Sequence, residues 1–163
     1  MGHNRARTLL ITTLVIALFA AGCFADNKYV GSNADRTSLE KTSQAIRAAF
    51  ARGDVATIMS YHHADVVKSL SYGNYLTGRD AVKADVTATL QRFNLEWKEN
   101  HVRSMLIQGD TAVELTDFTI QGTPKDQRQP PFLLKGRAMI VYVRYKNSPI
   151  GGASIREVIQ PAT

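Results

Sequence analysis

Apolar positions change their spacing along the chain, and the changes divide it into a helical first half and a β-rich second half. Leu39, Ile46, Ala49 and Phe50 fall on one helical face, while Ser43, Arg47 and Arg52 fall largely elsewhere. Thr37-Ser38-Leu39-Glu40 has capping-box spacing, a hydroxyl serving free amides of the first turn while the glutamate reaches back. Gly53 suits the left-handed closure of that helix. Asp54 suits the start of a second, short one carrying Val55, Ile58, Met59 and His62 inward. Asp65 to Tyr72 reads as a short strand ending in the turn-rich Tyr72-Gly73-Asn74-Tyr75. A third helix follows the cap-like Thr77-Gly78-Arg79-Asp80, with Val82, Val86, Leu90 and Phe93 at helical intervals.

From Asn94 onward the period falls to two. A long strand through Leu95, Trp97, Met105 and Ile107 turns at Gln108-Gly109-Asp110 and returns from Thr111 to Gln121. A polar, proline-bearing loop from Gly122 to Phe132 leads to a strand from Leu133 to Lys146, in which Gly136 predicts a bulge or bend. Asn147-Ser148-Pro149 turns the chain into a last strand, Gly152 to Gln160. Helices followed by an antiparallel meander predict an α+β fold. A cone-shaped, strongly curved antiparallel sheet would wrap around three N-terminal helices and leave a pocket at its wide end.

The amino terminus has a different character. Arg5 and Arg7 precede the uninterrupted apolar run Leu9 to Phe19, which is shorter than the ~20 residues of a spanning helix and reads as a secretory signal. An uncleaved membrane anchor is the alternative. Ala20-Ala21-Gly22-Cys23 resembles a bacterial lipobox with Ala20 in the usual leucine position, whereas Cys23-Phe24-Ala25 suits signal peptidase cleavage before Asp26. The expected organisation is a signal over residues 1–25, a polar tether over 26–36 and one domain over 37–163. The domain would be exported to the periplasm or outer surface, meeting the membrane only through a lipid on Cys23. Cys23 is the only cysteine, so the mature domain would lack a disulfide, a thiolate ligand and a cysteine nucleophile.

The formal charge is +6, but the basic residues are scattered and no Lys/Arg run interleaves with aromatics. That pattern argues for solubility and against nucleic-acid binding. P-loop, GxGxxG, HExxH, GxSxG and CxxC signatures are all missing from the sequence, so no cofactor or metal is expected.

Residues 51–67, Ala-Arg-Gly-Asp-Val-Ala-Thr-Ile-Met-Ser-Tyr-His-His-Ala-Asp-Val-Val, resemble the helix–GD–helix–AD signature of the nuclear transport factor 2-like superfamily. Residues 75–82, Tyr-Leu-Thr-Gly-Arg-Asp-Ala-Val, are similar to that family's entry into its third helix. The resemblance implies the cone fold and a small apolar or amphipathic ligand. It leaves activity open, because the family holds isomerases, dehydratases, SnoaL-like cyclases and non-catalytic binding modules. It also argues against a steroid isomerase: the expected base falls at Ser69 or Leu70, and the two oxyanion-hole donors fall near Ile46 and Val141.

Candidate chemistry lies in two places. His62 and His63 stand where the second helix meets the first strand; His62 could be a general base oriented by Asp65 or half of a metal site with His101, or simply a helix-end cation. On the long strands, Trp97, Glu99, His101 and Arg103 share one parity, Asp117 goes with Val113 and Leu115, Arg137 with Met139, and Glu157 with Ile155. If these parities face the cup, buried charges there must pair, as Arg137–Glu157 or His101–Asp117. If a bulge shifts the parity, they face solvent or a dimer partner. Tyr61, Tyr72 and Tyr75 could line the mouth or simply pack. His101, Asp117 and His62 are therefore the catalytic candidates, and Tyr61, Tyr72, Trp97, Arg103, Arg137 and Glu157 the ligand-binding ones. Three functions fit: a binding module, an isomerase, dehydratase or cyclase using a His–carboxylate pair, and a module that homodimerises or docks through its open sheet face.

Overall fold

The computed structural model describes residues 31–162, so the expected signal, the candidate lipidation site Cys23 and residues 26–30 of the expected tether lie outside the described residues. Helix α1, Asn33–Arg52, starts earlier than the Thr37 capping box implies. Ser32 is the cap: its hydroxyl accepts from the Asp35 amide at 3.1 Å and donates to the Asp35 carboxylate at 2.6 Å. Asp35 also binds Arg144, which ties this first turn to the sheet. At the other end Gly53, at φ 69°, closes the helix in the left-handed region. Asp54 caps α2, Val55–Ser60, accepting from the Thr57 amide at 3.0 Å.

Strand β1, His62–Ser71, begins at His62 rather than Asp65, and the turn-rich segment beyond it continues as an additional strand, β2, Asn74–Thr77. Helix α3, Arg79–Arg92, follows Gly78 without a side-chain cap, so the Thr77–Asp80 spacing does not form one. The meander is β3, Phe93–Gln108; β4, Thr111–Pro124; β5, Phe132–Arg144; and β6, Gly152–Pro161.

One six-stranded sheet results, in the order β2-β1-β6-β5-β4-β3. All neighbours are antiparallel except β1 and β6, which run parallel. The curved sheet stays open and holds the helices on its concave side. Ala49, Phe50, Ile58, Met59, Val66, Val82, Val86 and Leu90 form the main core, with the Phe50 and Trp97 rings 5.2 Å apart. Gly136 marks a close approach instead of a bulge: a Cβ there would lie 2.8 Å from the Gln160 carbonyl and from the Phe118 ring, and the β4–β5 register runs through it unbroken.

Two irregularities in β3 decide which side chains reach the interior. The register with β4 shifts between Trp97 and Glu99, and again between Val102 and Ser104. Each extra residue reverses the alternation. Trp97 points inward; beyond the first bulge Asn100 does, while Glu99 and His101 turn out; beyond the second, Met105 and Ile107 are buried. The single parity expected for Trp97, Glu99, His101 and Arg103 is thereby broken.

Candidate functional site

Strand register places Met105, Glu114, Ile140, Glu157, Lys68 and Leu76 in one row across the six strands. Registered partners share a face, and this row lies on the concave side. Above it is a cavity of about 260 Å³, floored by Glu114, Ile140 and Glu157 and roofed by Arg47 and Phe50 of α1 and Val86 of α3. Most of its remaining wall is apolar, including Trp97, Phe118 and Ile120.

Glu114 is 1% exposed, and neither carboxylate oxygen has a hydrogen-bond partner among the described residues. Burial raises its pKa above the ordinary 4.5; the Arg47 charge partly opposes this, and Glu40 adds to it. Arg47 is half-buried and reaches the Ser43 hydroxyl at 2.5 Å. Desolvation lowers the Arg47 pKa below its ordinary value, with the Glu114 charge opposing; a guanidinium nevertheless stays protonated. Tyr142, also in the wall, is driven well above its ordinary 10 by burial and then by the charges of Glu114 and Glu157. Its phenol therefore stays a donor.

Two β-strand spacings across the row, roughly 10 Å from Glu114, stands a different arrangement. His62 is 1% exposed and its Nδ1 lies 2.8 Å from the Ile58 carbonyl, which can only accept, so Nδ1 carries a hydrogen. Its Nε2 is 3.2 Å from Glu157 Oε1, at ion-pair distance but without the alignment of a hydrogen bond. Lys68 Nζ is 2.9 Å from Glu157 Oε2. Burial would raise the Glu157 pKa, but the close approach of Lys68 and His62 outweighs it and holds the group well below 4.5. One carboxyl of the row is thus kept ionised while burial favours the neutral form of the other, a division of the kind found where acids and bases are assigned different tasks.

The residues singled out from the sequence divide between two faces. His62, Trp97 and Glu157 line the cup. His101, Arg103, Asp117 and Arg137 do not: they meet in an open groove of about 550 Å³ on the outer face. There Asp117 accepts from Arg103 Nε at 2.6 Å and Arg137 Nε at 2.7 Å, which hold its pKa down at about 2. The pairs expected across the cup, Arg137–Glu157 and His101–Asp117, are replaced by Lys68–Glu157, His62–Glu157 and the two arginines on Asp117. His62 and His101 lie on opposite faces and cannot share a metal; among the described residues no cluster of three or more His, Cys, Asp or Glu could hold one. Asp65 lies near His63 at 3.8 Å, not His62. Tyr61 is buried at the end of α2, where its carbonyl accepts from the Ser154 amide, and Tyr72 is fully exposed. Neither lines the cup. Glu114, Arg47 and Lys68 were the residues missed. The parity of Ala112, Thr116 and Phe118, which Glu114 shares, was the available signal.

Among solved structures, a conserved protein from Planctomyces limnophilus superposes with a TM-score of 0.72 at 20% identity, covering 80% of this chain and 100% of its own. A candidate scytalone dehydratase from Novosphingobium aromaticivorans also gives 0.72, at 13% identity over 79% of this chain and 85% of that one. A nuclear transport factor 2-like superfamily protein from Salmonella enterica gives 0.64 at 13% identity, over 79% and 94%. At these identities the likeness establishes the fold alone. No curated protein matches the sequence. The model of the SnoaL-like domain matches residues 43–147, most of the helical layer and sheet just described, and the chain belongs to that family, its fold being the one shared with the nuclear transport factor 2-like protein above.

Proposed function

We propose that the protein binds a small, largely apolar molecule carrying at least one polar oxygen in the cup between α1, α3 and the sheet. The observation that carries this is Glu114. A buried carboxyl with both oxygens unpartnered costs about 1–3 kcal/mol. Such a group is rare in a finished core, and it is relieved when a ligand supplies the missing partner. Trp97, the only tryptophan, lines the same cavity and reports on its filling. The test is a panel of small oxygenated apolar compounds titrated against wild type and Ala138→Leu, which narrows the cup without touching a polar group. Binding that moves Trp97 emission and weakens in Ala138→Leu supports the reading. Binding that does neither refutes it.

Acid–base catalysis, as in a dehydratase or isomerase, is the second reading, favoured by the His62–Glu157 pair facing the cup opposite a carboxyl inclined to neutrality. Glu114 would give a proton to a departing or developing oxygen. The base is the weak part: Lys68 and His62 hold Glu157 well below 4.5, which makes it a poor proton acceptor. Binding is therefore the stronger reading. Export through the residue 1–25 signal, with or without a lipid on Cys23, belongs to the same proposal and rests on the sequence.

A further inference from the structure

The polar groups of the cup do not all satisfy one another, and what is left over has a definite charge. Lys68 and His62 are both turned on Glu157. On the other side Arg47 uses one of its guanidinium N–H groups on the neutral Ser43 hydroxyl and has no ion pair among the described residues. Arg47 and Glu114 feel each other's charge, yet neither Glu114 oxygen accepts a hydrogen bond from it. The α1 side of the cup thus holds a guanidinium with free donors, a buried carboxyl that burial disfavours as an anion, and the Tyr142 hydroxyl. The guanidinium and the phenol are donors, burial favours the donor form of the carboxyl, and among the described residues no anion receives them.

We propose that the ligand is a small organic carboxylate, its head group held by Arg47 and Glu114 and its apolar body lying among Phe50, Trp97 and Phe118. A carboxylate accepts two parallel N–H bonds from a guanidinium, the strongest geometry available to Arg47. Its remaining lone pairs lie within reach of the Glu114 carboxyl, whose neutral form, the one burial favours, would donate to them and cease to be an unsatisfied group. An amine would meet the Arg47 charge, and a neutral amide would leave that charge uncompensated in a half-dry site. The 260 Å³ volume accommodates one ring or a short chain, and the aromatic walls favour a ring.

This inference rests on the cup being a ligand site, and the experiment separates the two. Phenylacetate, phenylacetamide and phenethylamine are close in shape and differ in charge. Their binding is measured by calorimetry and Trp97 emission at about pH 6, where the acid is ionised and the amine protonated. The expected result is at least tenfold tighter binding of phenylacetate than of the amide, with the amine weakest. Arg47→Gln should remove most of that preference and Arg47→Lys should restore part of it, each shown folded by circular dichroism. Equal or tighter binding of amide or amine, or a preference that survives Arg47→Gln, overturns the carboxylate assignment and leaves the cup as a binding site. If none of the three binds or moves Trp97 emission, both fall.

Discussion

Replacing Glu114 by leucine should make the protein more stable and less able to bind. The side chain stands in the row between Met105 and Ile140, and leucine is close to glutamate in volume, so the substitution removes two unsatisfied oxygens without opening a large cavity. An unmade buried hydrogen bond costs about 1–3 kcal/mol, and that range is the expected gain. With a urea slope of about 2 kcal/mol/M, the midpoint should rise by roughly 0.5–1.5 M. The pH dependence adds a second signature. The folded-state pKa of Glu114 lies above 4.5, so the folded wild type holds an extra proton between the unfolded and folded values. Stability from this group is fully present below the unfolded value and is lost as pH rises through the folded one. The leucine advantage should therefore widen as pH rises, with Arg47 on α1 moderating it and Glu40 reinforcing it. The assay is urea unfolding followed by Trp97 emission at a series of pH values. A midpoint that is unchanged or lower, with no pH trend, would show that the Glu114 carboxyl is satisfied in the folded state and would refute the reasoning.

Further outcomes follow from the other charges. Glu157→Gln leaves Lys68 and His62 facing each other in the wall without their carboxylate, and equilibrium unfolding should show a loss of about 3–5 kcal/mol. Because the Glu157 pKa is held below 4.5, its contribution is present above the unfolded value and lost as pH falls through the folded one, so the variant should lose less stability on acidification than wild type. Asp117→Asn should leave cup binding unchanged, since Asp117 sits with Arg103 and Arg137 on the outer face; weakened binding of a cup probe in calorimetry would contradict that placement. Intact-mass measurement of the protein from an exporting host should find an amino terminus at a lipid-modified Cys23 or at Asp26, and retention of Arg5 and Arg7 would refute export by cleavage.

The break at Gly53-Asp54 was legible because both residues act locally: a glycine that accepts φ 69° and a carboxylate that reaches an amide three residues on. Strand periods and the α+β order were legible for the same reason. The start of α1 was read too late, since Thr37-Ser38-Leu39-Glu40 and Ser32-Asn33-Ala34-Asp35 both have capping spacing and only the latter is tied down, through Asp35, to Arg144. In β4 two parities compete: Val113, Leu115 and Asp117 against Ala112, Glu114, Thr116 and Phe118. The helices, not the alternation, decide which faces inward. The β3 bulges carry no compositional mark, Lys98 and Arg103 being ordinary strand residues, yet they sent His101 outward and Asn100 inward. Glu157 faces the cup even though β6 carries an irregularity of its own between Ser154 and Arg156, and its partner Lys68 was hidden by the parallel β1–β6 pairing, which a local pattern does not reveal.

Central to the account is that the ligand enters the concave cup beside Glu114 and not the outer groove. Amide and methyl chemical-shift mapping of the protein with phenylacetate addresses this directly. The largest shifts should fall on Ile140, Ile120 and the Trp97 indole, with the backbone of Arg47 moving and that of His101 and Arg137 still. Shifts concentrated at His101, Lys135 and Arg137, with Trp97 and Ile140 unmoved, would contradict it.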